Sequence, residues 1–192
     1  LAPGVGVPRP PKPDTLLNPD WAFVETRDKG AMIRGEFDIN DQLMAYAALG
    51  TSESKYKYNG SISALVLNSA GDFRTTIGQL AFDVKKESGE LGLKGKFATG
   101  AVKHQWSMNY THYEHRQNDY GRRSVPGADW TTNIYDPVWG PAAPFITPHI
   151  SRTGVQLKSY GIADTLSFAE DRVQLTLGVR HQNVSSEAFN IT

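Results

Sequence analysis

His112, Glu114 and His115 are the residues of this chain whose types most invite a chemical role, since imidazole and carboxylate are common ligands of divalent metals. In an extended strand alternate residues share a face, so His112 and Glu114 coincide while His115 points the other way. A structural or catalytic metal site needs three or four convergent ligands with oriented partners, and two do not make one. No metal is therefore expected. The chain has no Gly-x-Ser-x-Gly elbow, no phosphate-binding loop and no His-Glu-x-x-His. Asp136-Pro137 reads as a turn rather than a catalytic acid, and a cysteine count of 0 removes disulfides and thiolate sites. No catalytic residue is assigned, and no enzyme is expected. Glu36, Asp38 and Arg34 share one strand parity, which suggests a salt-bridged polar wall or a contact with another part of the protein.

The elements that would carry these residues are strands. From Val155 to Ser186 two long alternating runs meet at Glu170-Asp171-Arg172. Tyr160, Ile162, Leu166 and Phe168 take one parity of the first run; Val173, Leu175, Leu177 and Val179 take one parity of the second. Half-buried strands of soluble proteins usually alternate for about 4–8 residues. These runs are longer: roughly ten residues at about 3.3 Å, tilted near 40°, span about 25 Å, the apolar height of an outer-membrane barrel. A hydrophobic content of 39% suits a sheet that is apolar on alternate residues only. Twenty basic against 20 acidic residues gives no electrostatic case for nucleic acid. No run of eighteen apolar residues occurs, so no transmembrane helix is expected.

Residues 1–19 form a Pro-rich loop (Pro3, Pro8, Pro10, Pro11, Pro13) expected to be extracellular, and 20–192 read as about six strands of a barrel. The returning strand from Leu43 is expected to end in a long loop over 52–74. Across Lys85–Glu90 the apolar parity changes from Leu80, Phe82 and Val84 to Leu91, Leu93 and Phe97, which predicts a bulge or a local hairpin. Val102, His104, Trp106, Met108 and Tyr110 make the clearest alternating strand. A second long loop is expected over 116–151. Asp164 breaks the parity of its strand, and a nearby bulge would explain it. Turns at Asn40-Asp41, Thr99-Gly100 and Glu170-Asp171 are short. Short turns on one side and long loops on the other match the periplasmic and extracellular sides of an outer-membrane barrel. The fold expected is all-β: an antiparallel up-and-down meander forming part of a transmembrane β-barrel. Both ends read as loop, so the chain is expected to be an internal piece of a longer protein.

Three stretches resemble the barrel of TonB-dependent outer-membrane receptors, the ferric-siderophore branch in particular. They are Gly95-Lys96-Phe97-Ala98-Thr99-Gly100-Ala101-Val102-Lys103-His104, then Asn133-Ile134-Tyr135-Asp136-Pro137. The third runs from Tyr160-Gly161-Ile162-Ala163-Asp164-Thr165-Leu166-Ser167-Phe168 through Asp171-Arg172 to Leu175-Thr176-Leu177-Gly178-Val179-Arg180. The resemblance extends from about Trp21 to Gln182. It implies an active transporter of the bacterial outer membrane that binds a ferric siderophore through extracellular loops and imports it with TonB-supplied energy. It implies no cofactor, since the iron arrives chelated. The partners implied are the siderophore, outer-membrane lipid, and TonB and a plug domain through parts of the protein outside this chain. Tyr56, Tyr58, Tyr113, Tyr120, Trp130, Tyr135 and Trp139 would stack on or enclose a flat chelate, and Arg116, Arg122 and Arg123 would attract its charge. The same rings can instead pack the loops or sit in the upper aromatic girdle, and Arg122-Arg123 can belong to a solvated loop or, as the resemblance implies, meet lipopolysaccharide phosphates. His104 would make a structural hydrogen bond at the periplasmic rim. Two rivals stay open at this point, a passive porin-type barrel and a soluble β-sandwich or lipocalin-like binding module.

Overall fold

The computed structural model describes residues 1–122, 124–142 and 144–191. Seven strands make one sheet: β1 (Phe23–Asn40), β2 (Leu43–Val66), β3 (Asp72–Thr99), β4 (Val102–Arg122), β5 (Asp129–Asn133), β6 (His149–Phe168) and β7 (Val173–Asn190). All neighbours are antiparallel, in the order β1-β2-β3-β4-β6-β7, with β5 pairing β3 above the point where β4 leaves it. The meander therefore has the six expected strands, plus a short seventh in the second loop. Among the described residues it is a single layer without a facing sheet, which is not a sandwich. The edges of β1 and β7 carry no strand partner among the described residues, as in consecutive staves cut from a barrel.

Register decides the faces. Ile33 opposes Leu49, Leu49 opposes Gly89, Leu91 opposes Tyr110, Tyr110 opposes Tyr160, and Ile162 opposes Val179. Directly paired residues point to the same side, so one apolar face runs unbroken across the six strands. Its members are open in the single-layer sheet, Ile33 at 70% and Val179 at 69%, with no second layer facing them among the described residues. The other face carries Arg34, Glu36, Tyr46, Glu90, Asn109 and Arg180. We call the apolar face outward and the polar face inward.

Four expectations are corrected. Residues 52–74 are not a long loop: β2 runs to Val66 and β3 begins at Asp72, so a tall hairpin rises from the membrane. Its upper part is stapled by Ser61 and Thr75 hydroxyls, by Thr75 donating to the Ser63 carbonyl at 2.7 Å, and by Ile62 lying over Gly78. The parity change over Lys85–Glu90 involves no bulge, for β2 and β3 stay in step from Leu43–Gly95 to Ser61–Ile77 and slip only at Ser61/Ser63. One straight strand leaves the lipid, and the apolar residues simply move to its inward face. The 116–151 loop is shorter and partly ordered, because β4 extends to Arg122, β5 intervenes and β6 begins at His149.

The bulge expected near Asp164 is also absent, and β4 and β6 hold register from Lys103–Ser167 to Asp119–Ser151. Asp164 stays on the outward face because it has a partner there: its Oδ2 lies 2.7 Å from Nδ1 of His104. The Phe97 ring stacks on that imidazole, 4.3 Å between centroids and 4° from parallel. The structural hydrogen bond expected of His104 is this one. The periplasmic turn between β6 and β7 is tight, with Ala169, Glu170 and Asp171 all in the left-handed region and Asp171 held by Lys103 Nζ at 2.6 Å.

Candidate functional site

The closest packing in this segment lies above the membrane. Phe73, Thr75, Ile77 and Gln79 are almost fully buried on β3. They share the parity of Leu91 and Leu93, so this surface continues the outward face upward. Residues 134–142 and 144–148 are laid across it. Gln79 donates from Nε2 to the Pro144 carbonyl at 2.8 Å and accepts the Ile146 N–H at 3.0 Å. Phe145 packs on Phe23 at 5.4 Å. Trp130 lies 6.0 Å from Trp21 and 6.5 Å from Trp139, both edge-on, and Trp139 meets Phe73 at 6.1 Å. Trp21 also donates its indole N–H to the Gly140 carbonyl at 3.0 Å. Gly140 lies under the Trp130 ring, where a Cβ would collide.

The hairpin tip is tied to the same cap. Asn133 donates to Asp72 at 2.9 Å and to the Ala70 carbonyl at 3.1 Å, and Asn68 donates to Asp72 at 2.8 Å. These two amides hold the Asp72 carboxyl below the usual carboxylate range. Gly71, at φ 91°, passes beneath Ile134 and Tyr135. The Asn133–Pro137 stretch thus acts as a clip on the β2–β3 tip.

The ten residues singled out in the sequence separate by face. Tyr56, Tyr58 and Tyr113 point inward. Tyr56 stacks on Phe82, 4.8 Å and 11° apart, while Tyr58 spends its hydroxyl on the Ser61 carbonyl at 2.5 Å and burial pushes its phenol pKa up. Arg116 and Tyr120 point outward. Arg116 pairs with Glu114 along its own strand. Tyr120 stacks on His149 at 4.8 Å, and burial, with the nearby Asp83 charge, raises its pKa. Trp130 and Trp139 are cap packing. Tyr135 is at the exposed tip, donating to the Arg9 carbonyl at 2.9 Å. Arg122 ends β4 opposite Gln79; its side chain and the whole of Arg123 lie outside the described residues.

The inward face therefore keeps Tyr56, Tyr58 and Tyr113 of that set and brings other strand residues beside them. Above the membrane it shows the Tyr56–Phe82 stack, with Leu80 and Val84 on the same parity. Below these an open groove of about 610 Å³ is lined by Met32, Arg34, Gly50, Ser52, Lys86 and Tyr113. Lower still, Glu90 accepts from the Tyr46 hydroxyl at 2.8 Å and the Asn109 amide at 3.0 Å, and Arg34 sits 5.0 Å over the Tyr46 ring while bonding Glu36 at 2.7 Å. The polar wall expected around Arg34 and Glu36 is this network. Phe82 and Lys86 were missed because their strand was read as two pieces; the signal was the long parity run from Leu80 to Lys86.

No family model matches the chain. Against solved structures it superposes on the ferric preacinetobactin receptor BauA of Acinetobacter baumannii with a TM-score of 0.86 and 57% identity, over 96% of this chain and 28% of that one. The chain thus matches, in sequence and in fold, one stretch of a siderophore-receptor barrel. Among curated proteins, the ferrichrome receptor FcuA of Yersinia enterocolitica is 26% identical over 196 residues, 96% of this chain and 24% of that protein. The siderophore receptor PiuA of A. baumannii shares the fold at 17% identity and a TM-score of 0.74, over 90% of this chain and 27% of that one. The receptor segment thus spans about a quarter of the length of these relatives. Its outward apolar face is the lipid face of an outer-membrane barrel, which removes the soluble sandwich and lipocalin alternatives.

Proposed function

We propose that this segment forms one side of the wall of an outer-membrane receptor that captures a ferric siderophore from outside the cell and imports it with energy supplied through TonB. The identity and fold shared with the ferric preacinetobactin receptor carry this reading. The inward face supports it, because it offers aromatic faces above a groove of ligand size. In this reading the chelate meets Tyr56 and Phe82 first and then Tyr113, where flat rings contact apolar and aryl surface at little entropic cost. The plug domain and the TonB contact belong to parts of the receptor outside this chain.

The test is ferric-siderophore binding to the full-length receptor. Tyr56→Ala with Phe82→Ala removes the stacked pair, and a loss of about 1–3 kcal/mol for two buried aromatic contacts corresponds to roughly 5–150-fold weaker binding. Uptake of radioactive iron should vanish in cells lacking TonB while surface binding persists. Unchanged affinity in the double variant would refute the inward site; uptake independent of TonB would refute the energy coupling.

A further inference from the structure

Charge is not spread evenly down the inward face. In the row Thr26–Tyr56–Phe82–Asp119 each residue is directly paired with the next, and all four have the inward parity. Tyr56 and Phe82 are stacked, so each ring spends one face on the other. The free face of Phe82 is on the β4 side, where Asp119 is its paired neighbour. The Asp119 carboxylate accepts from the Gln117 amide at 2.7 Å and from the Ser151 hydroxyl at 3.0 Å. Both donors are neutral, so they fix the group without cancelling its charge, and each oxygen keeps a second acceptor position. Asp28, one inward position lower on β1, adds another carboxylate to this level. Neither acid has a salt bridge among the described residues.

Lower on the same face the sign reverses. Lys86 is directly paired with His115, each four residues below Phe82 and Asp119 on its own strand, which is about 13 Å. Lys86 has no salt bridge among the described residues and lines the groove that also holds Arg34 and Tyr113. The wall therefore presents carboxylate and aryl above, ammonium and imidazole below. A compact chelate with one flexible arm spans that height.

This polarity selects among chelates. A purely anionic one gains at Lys86 and loses at Asp119 and Asp28. A chelate that also carries a protonated nitrogen outside its iron-binding groups gains at both levels. Between the free face of Phe82 and the Asp119 carboxylate such a nitrogen meets a ring quadrupole and a charge-assisted acceptor together. Asp28 lies on β1, with β2 and β3 between it and Asp119, and contributes attraction at longer range.

We infer, resting on the reading that this face meets a ferric siderophore, that the preferred chelate is zwitterionic. Its anionic iron-binding oxygens lie toward Lys86 and His115, and an ammonium arm sits between the Phe82 ring and Asp119, the residue that sets the choice. The test uses the full-length receptor and two probes. One is the ferric complex of spermidine acylated at both ends by a catechol carboxylic acid, whose central amine is free to protonate. The other is the same chelator acetylated at that amine. Affinities are read by quenching of tryptophan fluorescence, and folding by circular dichroism. The parent should bind the ammonium probe at least about fivefold tighter than the acetylated one. Asp119→Asn keeps the shape and both neighbours, since the Ser151 hydroxyl can turn to accept. It should erase the preference while leaving the acetylated probe within about twofold of the parent. Lys86→Gln should weaken both probes by the same factor, and Asp41→Asn, in the turn after β1, should change neither. Equal affinity of the parent for the two probes would overturn the inference. So would a preference that survives Asp119→Asn, or a Lys86→Gln receptor with both affinities unchanged. If neither probe binds while TonB-dependent uptake of radioactive iron from spent culture medium is intact, the inference fails and the uptake reading stands; loss of that uptake in the parent would remove the reading beneath it. If Asp119→Asn does not fold, Phe82→Leu decides: it keeps the carboxylate and removes the ring, and a preference unchanged within about twofold would overturn the seat.

Discussion

Gln79 is the sharpest place to test how the extracellular cap is held. Its side chain is 1% exposed, yet it makes both of its hydrogen bonds to one strip of loop, Pro144 and Ile146. Gln79→Leu keeps most of the volume and removes both partners. A net bond of this type contributes about 0.5–1.5 kcal/mol, so the pair contributes about 1–3 kcal/mol to holding the strip down. The full desolvation cost does not apply, because Ile146 is 49% exposed and its released N–H can meet water. At about 1.4 kcal/mol per factor of ten, opening of the strip should become roughly 5–150-fold more frequent. Amide hydrogen exchange in the full-length receptor reads this directly at Ile146. Gln79→Glu should fall between parent and Leu, since the carboxylate still accepts from Ile146 but faces the Pro144 carbonyl. The Val125 N–H, bonded to the Ile77 carbonyl at 2.9 Å, should keep its protection. Exchange at Ile146 unchanged within about threefold would refute the clamp, and Val125 losing protection in parallel would show one cooperative cap rather than a local tie.

Two other perturbations follow from the same kind of accounting. His104→Leu leaves Asp164 on the lipid face without its donor, with Oδ1 already unpartnered, and should lower stability against urea by about 1–3 kcal/mol. His104→Leu with Asp164→Leu should recover most of that loss; a double variant no better than the single one would contradict the pairing. At the hairpin tip, the bonds from Asn68 and Asn133 lower the folded pKa of Asp72, so their contribution is complete above the unfolded value near 4 and is lost as pH falls through the lowered folded value. Proteolytic nicking near Gly71 should therefore rise in acid, and Asn133→Ala should show faster nicking already at neutral pH with a weaker pH dependence.

Much of the membrane part was legible because alternation is a local code. Period two over Val102–Tyr110 and Val173–Val179 identifies the lipid-facing residues without knowledge of any neighbour, and the short turns at Asn40-Asp41 and Thr99-Gly100 follow from their own residue types. The upper wall was not legible in this way. Leu80, Phe82 and Val84 read as a displaced strand because the parity rule presumes that the apolar side is always the lipid side. Above the bilayer the inward face carries apolar residues too, so the parity changes while the strand runs straight.

The alternation, the turn residues and the family-like stretches determined by themselves that this chain builds antiparallel staves of an outer-membrane barrel. Only the tertiary structure decided what each stave faces and touches. Asp164 has a reason to stay on the outward face only when β4 brings His104 to it, across 60 residues of sequence. Trp130 and Trp139 became packing, and Tyr56 with Phe82 an inward aromatic pair, once the register fixed which side of the hairpin residues 134–142 and 144–148 cover. The physical reason is the range of the interactions. Side-chain direction along a strand is set by the two bonds on either side of a residue, whereas a partner is set by the register between strands.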